Sequence, residues 1–128
     1  MPGDKPFSYA VLRLVPRIER SERINVGVVL FSRPLEFLGA KTGLNEVRAL
    51  VLWPELDVES VRAHLVAVER IAAGDPTGGP IARLDQTARF HWLVAPSSTI
   101  IQPSEPHTGI CGDSAEELEK LFRELVEL

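Results

Sequence analysis

The chain has 128 residues, 45% of them hydrophobic and 25% charged, with a formal net charge of −4. That is the make-up of one folded domain with its own core, and it excludes a disordered chain and a general nucleic-acid binder. The single cysteine, Cys111, excludes an internal disulfide and fits a reducing compartment. No leader-like apolar segment opens the chain, and no apolar run approaches the roughly 20 residues of a membrane span, so a cytoplasmic protein is expected. The charge is uneven: residues 1–48 carry 8 Lys+Arg against 5 Asp+Glu, whereas residues 49–128 carry 6 against 13. A local basic surplus near the N-terminus leaves room for a small-anion site.

Phe7–Val15 reads as a strand, ended by Pro16, which cannot donate to a ladder. A charged loop with Arg17, Arg20 and Arg23 leads into a second strand, Ile24–Ser32. Ile24, Val26, Val28 and Leu30 fall on one face of it and Val29 and Phe31 on the other, the pattern of a central strand covered on both sides. Leu35–Lys41 pairs back as a third strand. Asn45–Val51 reads as a short helix stopped by Trp53-Pro54. Asp57 caps an amphipathic helix carrying Val58, Val61, Leu65, Val68 and Ala72 and ending near Gly74. Residues 74–80 form a Gly/Pro-rich loop, read as a mobile connection inside one domain. Thr87–Ala95 is expected to be a strand with Phe90, Trp92 and Val94 on one face, and Thr99–Gln102 a short strand. Pro103 to Gly112 is expected to be loop. Asp113 or Ser114 caps a final acidic helix with Leu118, Leu121, Phe122, Leu125 and Leu128 in its buried stripe.

These elements make a single α+β domain (residues 1–128), with a mostly antiparallel sheet of about five strands covered by the middle helix and the C-terminal helix. Arg17, Arg20 and Arg23 have the chemistry of an anion cradle, because guanidinium groups hold carboxylate or phosphate through paired hydrogen bonds. Glu19 and Glu22 next to them allow the plainer reading of a self-neutralised surface loop. Arg13, inside an apolar strand, needs an acidic partner or a solvent-facing strand side. Asn25 reads either as a ligand-orienting amide or as a structural hydrogen bond at a strand end. Pro96-Ser97-Ser98-Thr99 offers hydroxyls and N–H groups in a turn, either a small anion nest or an ordinary Ser/Thr turn. His107-Thr108 lies in a polar stretch where His107 has the chemistry of a general base. His64 reads as a boundary residue, and Trp53 and Trp92 as core residues. No phosphate-loop, dinucleotide or His-Glu-x-x-His pattern is present, so no cofactor or metal is expected.

The run Glu22-Arg23-Ile24-Asn25-Val26-Gly27-Val28-Val29-Leu30-Phe31 resembles a small bacterial family catalogued as domain of unknown function 3037. Tyr9-Ala10-Val11-Leu12-Arg13 before a proline, the stretch from Arg89-Phe90 through Gln102, and His107-Thr108-Gly109 before an acidic helix carry the same resemblance. It implies no established activity. It does suggest a protein partner, since such proteins are often encoded beside a kinase-like toxin homologue.

The expected function is therefore that of a non-enzymatic accessory domain that binds a small anion or another protein. Its candidate site comprises Arg17, Arg20, Arg23, Asn25, Ser98, Thr99, Gln102, His107 and Thr108. The alternative is a small hydrolase or nucleic-acid-processing enzyme with His107 as acid/base and the arginines as clamps.

Overall fold

The first third of the chain forms the expected antiparallel meander. In the computed structural model, which describes residues 3–97 and 99–127, β1 spans Lys5–Leu14, β2 Ile24–Ser32 and β3 Phe37–Thr42. Helices α1 (Glu46–Leu52) and α2 (Val58–Ala73) follow. Short 3-10 turns at Pro76–Gly78 and Pro80–Arg83 lead to α3 (Gln86–Leu93). The chain ends in β4 (Ile101–Pro103), β5 (His107–Cys111) and α4 (Ser114–Leu125). Each α-helix opens on a short polar side chain: Asn45, Asp57, Asp85 and Asp113 accept the N–H of Arg48, Ser60, Ala88 and Glu116. These caps satisfy donors that have no partner inside the helix.

The sheet is antiparallel throughout and runs β3-β2-β1, with β4 and β5 sharing the outer side of β1. β4 pairs with Leu12–Leu14, and β5 with Lys5–Tyr9. Ser104 bridges the gap between them. Its N–H donates to the Val11 carbonyl at 2.7 Å, and its hydroxyl accepts the Val11 N–H at 2.9 Å.

Both faces of the sheet are covered, which makes β2 the central strand its composition predicts. One core packs α1, α2 and α3 against Leu12, Leu14, Val26 and Val29. The other packs Leu118 and Leu121 of α4 against Phe7, Val28 and Leu30. The expected division of β2 into two faces needs one correction. The β1–β2 register shifts by one residue between Leu12 and Arg13, leaving Val26 without an opposite residue. This bulge reverses the alternation, so Ile24 and Val26 join Val29 in the first core while Val28 and Leu30 belong to the second.

Two expectations are overturned. Thr87–Ala95 is not a strand: Gln86–Leu93 is the helix α3. Over eight residues the apolar pattern fits both periods, since Phe90 and Leu93 are three apart. The Asp85 cap, with its Ala88 N–H bond at 2.8 Å, starts the helix. As a result Phe90 and Leu93 are buried, and Trp92 turns outward with 51% of its surface exposed, not core as expected. Nor is the span from Pro103 to Gly112 all loop, because it contains β5. Its polar and glycine-rich composition suits an edge strand bonded to β1 alone. Glycine suits position 109, because a Cβ there would stand 2.7 Å from Cζ of Phe7 and push the buried ring aside. The sheet thus keeps five strands, but not the five expected. Residues 76–83 form two successive 3-10 turns, the first capped by Asp75 accepting the Thr77 N–H.

Candidate functional site

The sheet register builds one polar row. Arg13 of β1 stands opposite Asn25 of β2 on one side and Gln102 of β4 on the other. Residues directly opposite across antiparallel strands share a face. Asn25 places that face on the α4 side, because its amide Nδ2 donates to the Leu125 carbonyl at 2.9 Å. The bond ties the last turn of α4 to β2 and satisfies one of the helix's orphan carbonyls. Asn25 is therefore a structural clasp. Asn25→Ala is expected to cost about 1 kcal/mol, the worth of one neutral, partly buried hydrogen bond. Denaturant unfolding checks this, together with faster amide exchange confined to the last turn of α4.

Arg13 is partly buried, and both its burial and the charge of Arg23 push its pKa below the ordinary guanidinium value. Among the described residues, ion pairs join Arg17, Arg20, Lys41 and Arg62 to carboxylates, while Arg13 and Arg23 have none. The charge of Arg23, one residue before β2, thus reaches Arg13, and among the described residues neither is ion-paired.

The other loop arginines behave differently. Arg17 Nε donates to Glu19 at 2.8 Å, and Arg20 Nε to Glu22 at 2.5 Å, all four side chains being exposed. The Glu19 carboxyl is held below its usual range first by a hydrogen bond to its own backbone and then by Arg17, and that of Glu22 by its bond to Arg20. Interleaved charges two residues apart neutralise each other locally.

The remaining candidates divide between two places. His107 and Thr108 lie on β5, opposite Tyr9 and Ser8. The His107 ring packs on Tyr9 with centroids 5.4 Å apart. Tyr9 precedes Arg13 by four strand residues, or about 13 Å, so His107 stands well away from the arginine pair. Among the described residues no carboxylate is hydrogen-bonded to His107, and none of the five clefts with defined linings includes His107, Arg17, Arg20 or Arg23. Thr99 is turned into its own segment: its hydroxyl donates to the Ile101 carbonyl at 2.9 Å, and its N–H to Ser97 Oγ. Gln102 Nε2 donates to the Thr99 carbonyl. Ser98 lies outside the described residues. Of the nine candidates, the register therefore gathers Asn25 and Gln102 around Arg13, with Arg23 one residue before β2.

Two residues that sequence reasoning did not single out carry the local architecture. Arg89, only 8% exposed, donates through Nη1 to the carbonyls of Ile71 and Ala72 at 3.1 and 2.9 Å. It thereby caps the C-terminal end of α2, where a cation meets the negative end of the helix dipole. Gly74, at φ +71°, completes that cap, and a Cβ there would stand 2.9 Å from Arg89 Nη1. Ser104 is the second, through its bonds to Val11. The one signal for Arg89 was a charged residue beside Phe90 in an apolar segment.

The fold defines the chain as a single α+β domain with an open five-stranded antiparallel sheet, in which Arg13 stands between Asn25 and Gln102 and, among the described residues, has no ion-pair partner. Residues 9–126 match the family described as Protein of unknown function (DUF3037), and the chain belongs to that family. No curated protein and no solved structure matches it. Among the described residues, no helix is long and apolar enough to cross a membrane.

Proposed function

We propose that the protein is a non-enzymatic binding domain, and that Arg13 and Arg23 together receive an anionic group, a carboxylate or phosphate, of its ligand. The single observation carrying this reading is that Arg13, partly buried at the centre of the Asn25–Arg13–Gln102 row, forms no ion pair among the described residues, and neither does Arg23, one residue before β2. A partly buried guanidinium such as that of Arg13 is costly unless a counter-charge arrives, and a bound anion, shared with the exposed Arg23, supplies one. Asn25 and Gln102 flank Arg13 in the row, each with one amide N–H engaged, by the Leu125 and Thr99 carbonyls. The guanidinium forks carry the charge recognition. Arg17 and Arg20, already paired, contribute only to the surrounding field.

The test uses inorganic phosphate and citrate as probes, followed by amide NMR. Saturable shifts are expected around Arg13 and Arg23. The double variant Arg13→Ala/Arg23→Ala is expected to lose about tenfold or more in affinity. Arg17→Ala/Arg20→Ala should bind as the parent does. Equal binding by the Arg13/Arg23 variant, or loss in the other one, sinks the assignment. The free protein gives a second readout: Arg13→Met should unfold about 0.5–1 kcal/mol harder, because it removes a repulsion that only a ligand relieves. Where the anionic group belongs to an acidic protein surface, for which a kinase-like toxin homologue encoded nearby is the first partner to try, the same double variant should break a complex seen by gel filtration.

A further inference from the structure

On the opposite face of the sheet from Arg13, its neighbour Leu12 forms the floor of a cleft of about 310 Å³. Val68 of α2, Leu93 of α3, Ile101 of β4 and Pro96 complete apolar walls, and the Trp92 indole stands at the side with half its surface exposed. Four elements thus contribute to one concavity that no other described segment fills. Its volume lies in the range of small-molecule sites, which are apolar with a few fixed polar groups.

The polar groups of the lining are His64, Ser97 and Thr99; no Asp, Glu, Lys or Arg is among its residues. Partial burial holds the His64 imidazole below its ordinary pKa, so at neutral pH it is an uncharged ring with one donor and one acceptor. The two hydroxyls have committed their protons: Thr99 donates to the Ile101 carbonyl, which leaves Ser97 as donor in the 2.9 Å contact between them. The cleft therefore offers acceptors, one neutral imidazole and an aromatic face, and nothing to neutralise a charge. An ionised ligand would lose its hydration there without return.

We propose that this cleft is a binding site for an uncharged aromatic or heteroaromatic small molecule of one or two rings, seated with its ring against Trp92. At about 30 Å³ per water, the volume equals some ten waters, which suits a ligand of that size. An aromatic ring left half-exposed at the wall of an apolar cleft is a stacking platform awaiting a second ring.

The test titrates the full chain with indole, with indoleacetate as the charged counterpart and cyclohexanol as the non-aromatic one. Amide and indole N–H spectra provide the readout. Indole is expected to shift the Trp92 side-chain N–H and the amides of Leu12, Val68, Leu93 and Ile101 saturably. Indoleacetate and cyclohexanol should each bind about tenfold more weakly. Trp92→Ala should weaken indole by a similar factor and Trp92→Phe should restore most of it, whereas Ala95→Trp should block the mouth. Both positions are exposed, so these variants should fold, as circular dichroism will verify. Shifts that never saturate or that scatter over the surface overturn the proposal. So does indole affinity unchanged in both Trp92→Ala and Ala95→Trp, or indoleacetate binding as tightly as indole.

Discussion

Replacing Arg89 by Met should destabilise the protein by about 1.5–3 kcal/mol, the scale for losing hydrogen bonds made by a buried charged group. Arg89 is almost wholly buried, and its guanidinium reaches the Ile71 and Ala72 carbonyls where α2 ends. Methionine matches the length of the stem, so little packing is lost; what is lost is the cap. Lys at this position offers a point charge in place of a planar fork, and should recover only part of the loss. Chemical unfolding of Arg89→Met and Arg89→Lys gives both values. A change below about 1 kcal/mol for Met would mean that the guanidinium's burial costs nearly as much as its bonds return. Gly74→Ala should fail through the same contact, because its φ of +71° is strained for an L residue and the new Cβ meets Arg89 Nη1.

The second large effect is expected at Ser104. Neither β4 nor β5 reaches Val11, and the Ser104 side chain stands in for the missing strand by accepting the Val11 N–H. Ser104→Ala would leave a buried donor without an acceptor, at a cost of about 1–3 kcal/mol. Amide exchange separates this from a general loss of stability. The Val11 N–H should lose its protection in Ser104→Ala more than the amides of β2 do. Ser104→Thr keeps the acceptor and should keep that protection. A Val11 amide as slow in Ser104→Ala as in the parent would show that another group accepts it.

The sequence by itself determined the elements whose signals are local. Asp57, the three- and four-residue apolar spacing and Gly74 delimit α2 without reference to the rest of the chain, and Ile24–Ser32 is apolar enough on both faces to be only a central strand. The candidate loop was legible in the same way: Arg17 and Arg20 pair with Glu19 and Glu22, which follow each two residues later. Where a segment satisfies two periods, local information is insufficient. Phe90, Trp92 and Val94 alternate as in a strand, while Phe90 and Leu93 share a helical face, and packing against β2 and α2 buries the helical pair. His107–Cys111 carries no strand signal because its pairing energy comes from the backbone of β1, a partner a hundred residues away in sequence.

Only the tertiary structure decided which polar residues meet. Register is a property of two strands at once, and a single bulged residue, Val26, determines that Asn25 faces α4 and stands opposite Arg13. It also decided that Trp92 borders a cleft instead of filling the core, and that Arg89 caps a helix ending sixteen residues before it. Spacing along the chain carries none of this, because each contact depends on how two separately formed elements pack.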